Sequence, residues 1–531
     1  MGATTRISRW HNWVHSDDWF RWAKAVYGPW ASQRMALFRQ LIERAAQQFG
    51  TDATGILARA PGRVNLMGRH IDHRGGRCHP IAIPKEILVF AHPSDRAGIR
   101  LHHWNPAHYP DEAFRLSDVA PQRFLSEDEW QTWVASISSK VPQNWSLYAR
   151  AAVATAINWS EIFDLTNQPF GVDLLITGDI PPEAGLSSSS ALFVACLLSV
   201  AALWGKVPDD KVRMAQLCGM GEWYVGTRGG FGDHAAILLG KKDQVTVLDF
   251  FPMAYDYRPF LEGADLIVLD SGERAHKASD ARKTFNIRIL EYELGVLLWH
   301  HQCPQLSQRL AHLRDAAPYR VGDEALSYRL LKVLPPSTTI RQLIQNFEEL
   351  KPMIQGLIDR MNIGAVADEL VQVRGTCWFG LAECERSLRF TKSLGEGNWA
   401  LAGQLMTISH DGDRLFLWKD GEPLPYRFPV DDQSLDRCFQ SRQPFWSYPG
   451  AYRCSSVAID FLVDQAIMLG AIGAQVCGAG MGGSVLVLAP SGSGEQIAGR
   501  LAEEYASKLG KSLTWFSATP IEGAQVLMEP P

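Results

Sequence analysis

Phosphate handling is the first chemistry that the residues of this chain suggest. Four serines, Ser187 to Ser190, follow Gly185 and Leu186 and open the apolar run from Ala191 to Trp204. A helix begun in this way sets hydroxyls beside its unpaired first-turn amides, and the positive end of its dipole favours an anion. An ordinary N-capped core helix fits the same residues, so the loop alone does not decide. Two carboxylates have comparable ambiguity. Asp233 sits in the Gly-rich turn Gly230-Phe-Gly-Asp-His234 and Glu222 near the end of a helical stretch. Alone, they read as a turn former and a solvated helix carboxylate.

Two other glycine-bearing stretches accompany the serines. Gly478-Ala-Gly-Met-Gly-Gly483 has the G-x-G-x-x-G spacing of a dinucleotide loop, but Ser484 to Ala489 behind it reads as a strand where that fingerprint needs a helix. Gly510-Lys-Ser512 resembles the end of a Walker loop, yet Tyr505 stands where the earlier glycine is required. Both dinucleotide and Walker readings are therefore rejected. The third stretch is Pro61-Gly-Arg-Val-Asn-Leu-Met-Gly-Arg-His-Ile-Asp-His-Arg-Gly-Gly76.

The elements around these loops follow from periodicity. Residues 1–35 hold five tryptophans, and the spacing of Trp19 and Trp22 predicts a short amphipathic helix docking its aromatics on the body. Met35 to Phe49 reads as a helix ended by Gly50, and Ile56 to Ala60 as a strand broken at Pro61-Gly62. Residues 97–145 are polar and Pro- and Trp-rich, and give no clear elements. Trp145 to Trp159 and Lys211 to Val225 read as helices, Gly171 to Thr177 as a strand. Ile237–Leu239 and Val245–Phe250 read as strands, and a domain boundary is placed near residue 260. Residues 280–410 are mainly helical, and short strands at 474–477 and 484–488 flank the last glycine loop.

Composition bounds the possibilities. At 531 residues the chain can build two or three domains. A net charge of −5 argues against general nucleic-acid binding. Nine cysteines without a Cys-x-x-Cys pair suggest neither a disulfide framework nor a zinc finger. The first residues lack the apolar core of a secretory signal, and Ala191 to Gly205 is too short to span a bilayer. The expectation is a cytoplasmic protein without a membrane or nucleic-acid partner.

Taken together and in order, the three loops resemble the motifs of the galactokinase, homoserine kinase, mevalonate kinase and phosphomevalonate kinase family. Residues 61–76 look like the galactokinase signature Pro-Gly-Arg-Val-Asn-Leu-Ile-Gly-Glu-His-Thr-Asp-Tyr-x-Gly-Gly, and Phe285-Asn-Ile-Arg-Ile-Leu-Glu291 is similar to a later galactokinase stretch. The resemblance covers roughly residues 36–490 and implies an α+β fold of two domains with the active site in the cleft between them. The expected division is a Trp-rich extension at 1–35, an N-terminal kinase domain at 36–260 and a C-terminal kinase domain at 261–531.

The resemblance also implies roles. Gly185, Leu186, Ser187, Ser188 and Ser189, with Gly478, Ala479 and Gly480, would hold the phosphates of ATP. Ser189 and Glu222 would ligate Mg²⁺, which needs only a few protein oxygens. Asp233 would be the catalytic base and Arg63 its partner, with Arg69, His70, Asp72 and Gly230 binding sugar. Four positions depart from the galactokinase pattern: Arg69 for Glu, His234 for Gln, Phe285 for Tyr, and Glu183 for a loop glycine. The implied activity is ATP-dependent phosphorylation of the anomeric hydroxyl of a galactose-like sugar, by a monomer or small homo-oligomer. Arg69 suggests an anionic sugar such as galacturonate, since a guanidinium fork suits a carboxylate. A sugar- and nucleotide-binding sensor without turnover is the alternative.

Overall fold

The signature stretch folds as one long strand, Thr54–Asn65, rather than as two strands parted at Pro61-Gly62. The register against Pro80–Ser94 slips between Pro61 and Arg63 instead. Proline has no N–H for the ladder, so a bulge absorbs it without ending the strand and re-aims the side chain that follows. That side chain is Arg63. The computed structural model describes residues 4–137, 141–165, 169–226, 229–260, 262–274, 280–361, 363–364, 366–419 and 421–531. Thr227 and Arg228, beside the Asp233 turn, lie outside them.

Thr54–Asn65 belongs to a seven-stranded sheet. Across it lie Thr5–Arg6, Thr54–Asn65, Pro80–Ser94, Gly171–Gly178, Ile99–His103 and Glu112–Phe114, and Gln525–Leu527 also pairs with Thr54–Asn65. Side chains alternate between its faces as the pleat requires. Leu57, Leu88 and Phe90 meet the Trp-rich helices Ile7–Val14 and Asp17–Tyr27 and the helix Ala31–Phe49. Ile56, Ala58 and Val89 join the core of the serine helix, Ser188–Trp204, and of Leu147–Asn158. Residues 97–145 supply two of the strands and the helix Glu127–Ile137, whose Trp130 and Val134 are buried.

Ile237–Leu239, expected as a strand, is the end of the helix Gly232–Leu239. Three apolar residues carry too little periodicity to separate the two states, and Asp233 in the first turn favours the helix through its dipole. The hairpin of Gln244–Asp249 and Ala254–Pro259 follows.

A second, antiparallel sheet orders Gly473–Val476, Ser484–Pro490, Ala264–Asp270 and Thr514–Ser517. Ile267 and Leu269 pack on the helices Val457–Met468 and Gly494–Leu509. Leu266 and Val268 on the opposite face share a core with Leu405 and Met406 of Trp399–Asp413. A mainly helical layer centred on Asp280–Gln302 and Val373–Glu396 has its own core. The molecule is α+β, 50% helix and 19% strand, and among the described residues no helix is long and apolar enough to cross a membrane.

Candidate active site

The bulge, the serine loop and the Gly232–Leu239 helix converge on one cavity of about 220 Å³. Arg63 reaches across it to Asp233, with Nε 2.7 Å from Oδ1 and Nη2 2.5 Å from Oδ2. Its third nitrogen donates to the Gly185 carbonyl at 2.8 Å, and the Ser187 hydroxyl donates to Asp233 Oδ2. Burial alone would raise the Asp233 carboxyl, but the Arg63 charge and the Ser187 hydroxyl outweigh it and hold the group below its ordinary value. Asp233 is therefore a carboxylate at neutral pH.

The phosphate loop is shaped for close approach. Ser187, at the helix N-terminus, has φ +58° and makes no side-chain cap, because its hydroxyl is turned to Asp233. The first-turn amides are left without a side-chain cap, as an anion cradle needs. Gly185 and Gly478 pack backbone against backbone: a Cβ on Gly478 would lie 2.8 Å from the Gly185 carbonyl oxygen, and its φ is +73°. Only glycine fits there, and this contact brings the Gly478 end of the last glycine loop against Gly185 of the serine loop.

Glu222 and Ser189 both line the cavity. The structure sets Ser190, not Ser189, against the carboxylate: Ser190 Oγ lies 3.2 and 3.1 Å from its two oxygens. One residue along a helix turns a side chain by about 100°, which accounts for the shift. Buried His234 brings Nε2 to 2.9 Å from Glu222 Oε2. The donors Glu222, Ser189 and Ser190 are all hard oxygens, and they fit Mg²⁺.

At the other end, Asp72 is held by His73 Nδ1 at 2.9 Å and by the Gly232 amide at 3.4 Å. Burial would raise its carboxyl, but these partners hold it down at about 2. A Cβ on Gly230 would fall 2.3 Å from Asp72 Oδ2, so the turn must be glycine for the loops to meet. His70 also lines this end, with φ +63° and its ring stacked on Tyr452 at 4.0 Å. Phe285 borders the same space.

Arg69 lines the cavity as well. Its guanidinium turns into the protein, donating to the Val476 carbonyl and Ser409 Oγ, both at 2.8 Å, and pairing with Asp413 Oδ2 at 3.0 Å. A fork spent on a buried carboxylate is not presented to an anionic sugar. Glu383, which accepts from the Gly68 and Arg69 amides at 3.0 and 3.2 Å, fixes this loop from the helical layer.

Ser190, Asn65, Tyr148, Asp413, Cys454 and Glu383 were not singled out from sequence. Asn65 and Tyr148 line the cavity, and Ser190 adjoins a named serine. Asp413, Cys454 and Glu383 sit in helices or loops with no motif of their own and reach the site only through tertiary packing.

Comparison with known proteins follows the same order along the chain. Residues 46–93 match the galactokinase galactose-binding signature, 148–241 the N-terminal domain of GHMP kinases and 390–507 the GHMP kinase C-terminal domain. The galactokinase of Pyrococcus furiosus is 23% identical over 472 residues, 89% of this chain and 99% of that protein. That of Chloroflexus aurantiacus is 27% identical over 473 residues, 88% of this chain and 92% of its own length. The crystal structure of Lactococcus lactis galactokinase complexed with galactose superposes with a TM-score of 0.62 at 20% identity, over 91% of this chain and 98% of that one. At that identity the superposition speaks for the fold. The chain is a galactokinase-like member of the galactokinase, homoserine kinase, mevalonate kinase and phosphomevalonate kinase family.

Proposed function

We propose that this protein is an ATP- and Mg²⁺-dependent kinase that phosphorylates the anomeric hydroxyl of galactose or a closely similar neutral sugar. The observation that carries the reading is the Arg63–Asp233 pair, set in one cavity between the serine loop and the His70–Asp72 loop. Phosphoryl transfer needs in-line alignment and charge neutralisation more than covalent help. Asp233, ionised and fixed by two hydrogen bonds from Arg63, accepts the hydrogen bond of the attacking hydroxyl and takes its proton as the hydroxyl oxygen bonds the γ-phosphorus and the bond from that phosphorus to the departing ADP breaks. Arg63 offsets charge gathering on that oxygen. The uncapped amides of the serine loop receive the nucleotide phosphates. Mg²⁺, when bound, neutralises phosphate charge; Glu222 with Ser189 or Ser190 would hold it.

A neutral sugar is favoured over galacturonate because the Arg69 charge is already balanced by Asp413. A coupled ADP-release screen over galactose, galacturonate, arabinose and amino sugars tests this. Galactose should give the highest kcat/KM among them. Binding of galactose and ATP with no ADP release would replace the reading with the non-catalytic sensor.

A further inference from the structure

Three potential metal ligands from distant parts of the chain meet in the wall of the sugar end. Cys454 Sγ lies 3.4 Å from His70 Nε2 and 3.0 Å from Asp413 Oδ1, and His70 Nε2 lies 3.4 Å from the same Oδ1. All three residues are buried. This is not a nucleophile–base relay, because thiol and carboxylate face one imidazole nitrogen, whereas a relay uses both. The triangle instead approaches one face of a tetrahedron. Bonds of about 2.0–2.3 Å to sulfur, nitrogen and oxygen at tetrahedral angles give ligand–ligand edges of about 3.3–3.6 Å. The two 3.4 Å edges fall in that range, and the 3.0 Å sulfur–oxygen edge, now a hydrogen bond donated by the Cys454 thiol, must lengthen by about 0.5 Å when the thiol proton leaves.

We infer that His70 Nε2, Asp413 Oδ1 and Cys454 Sγ form a binding site for a thiophilic divalent cation of the zinc class. The donor set decides the class: sulfur and imidazole select zinc-like ions, whereas Mg²⁺ takes oxygen and stays with Glu222. Outer partners fix two of the ligands. Arg69 Nη2 pairs with Asp413 Oδ2 at 3.0 Å, leaving Oδ1 for the cation, and Tyr452 stacks on the imidazole at 4.0 Å and sets its plane. On binding, the sulfur–metal bond forms as the thiol proton leaves to solvent. His70 also borders the cavity.

The site is testable without any assumption about the kinase reaction. The chelator-treated full-length protein is titrated with Co²⁺ in the absence of ATP and sugar. One equivalent should bring up a sulfur-to-cobalt charge-transfer absorption with tetrahedral visible bands, and Zn²⁺ should displace it. Cys454→Ser should abolish the band and weaken Zn²⁺ binding by more than the ~10–100-fold that loss of an outer-shell partner costs. X-ray absorption of the zinc-loaded wild type, which needs no variant, should find one sulfur ligand with the remainder nitrogen or oxygen. No charge-transfer band in the wild type, a band retained by Cys454→Ser, or a shell of nitrogen and oxygen alone overturns the inference.

Discussion

Asp233→Asn should separate chemistry from binding. The amide keeps the shape but cannot take a proton, so kcat should fall by about 10²–10⁴-fold while ATP affinity, measured calorimetrically, stays within a few-fold. Wild-type turnover in this variant would remove Asp233 from the mechanism. Its pH behaviour follows from the sign of its shift. Arg63 and Ser187 hold the folded carboxyl below its ordinary value, so it stays ionised above that value. A pH series of kcat/KM should therefore show no acidic limb from Asp233 between about pH 5 and pH 8. Glu222→Gln and Ser190→Ala should each raise the Mg²⁺ needed for half-maximal rate, and titrations that overlay the wild type would place the metal elsewhere. Arg63, Asp72 and Asp233 were legible because each lies inside a short motif. The guanidinium partner of Arg69 is not legible for the converse reason. Its partner Asp413 ends the helix Trp399–Asp413, and nothing in the local sequence announces a buried carboxylate there. Ser190 was missed because adjacent serines are indistinguishable until helix phase is known.

At the scale of elements, the glycine contact between Gly185 of the serine loop and Gly478 of the later glycine loop is the joint on which the proposed phosphate site depends. Gly478→Ala would place a methyl 2.8 Å from the Gly185 carbonyl oxygen at φ +73°. Strain of about 1–3 kcal/mol at such a position should push the loops apart. The expected outcome is a raised KM for ATP with the KM for sugar nearly unchanged, and equal effects on both would show general unfolding instead. The elements themselves were readable wherever a long apolar period existed, as in Ser188–Trp204 and Gly171–Gly178. They were not readable where tertiary pairing decides. Ile99–His103 becomes a strand through its parallel neighbour Gly171–Gly178, and Ile237–Leu239 is helical because the turn before it starts a helix.

At the scale of the molecule, the Trp-rich helices, the first sheet and the chain's last residues are tied by a buried charge network. Arg59 Nε donates to Glu86 Oε2 at 2.8 Å and its Nη1 to the Gly523 carbonyl, while Arg34 pairs with Glu86 and Asp179 and Tyr27 donates to Glu86. Glu86→Gln would leave two buried guanidinium groups under-compensated and should cost about 3–5 kcal/mol by denaturant titration. A loss below 1 kcal/mol would show the network to be dispensable. None of it was visible from residues 1–35, whose tryptophans pointed only to docking. The proposed transfer brings residue, element and molecule together in one reaction, and ³¹P NMR of the protein with galactose, ATP and Mg²⁺ tests it directly. The account predicts a new sugar-phosphate resonance coupled to the anomeric proton, appearing as ATP becomes ADP. Phosphate on any other hydroxyl, or no transfer by protein that binds both substrates, would contradict it.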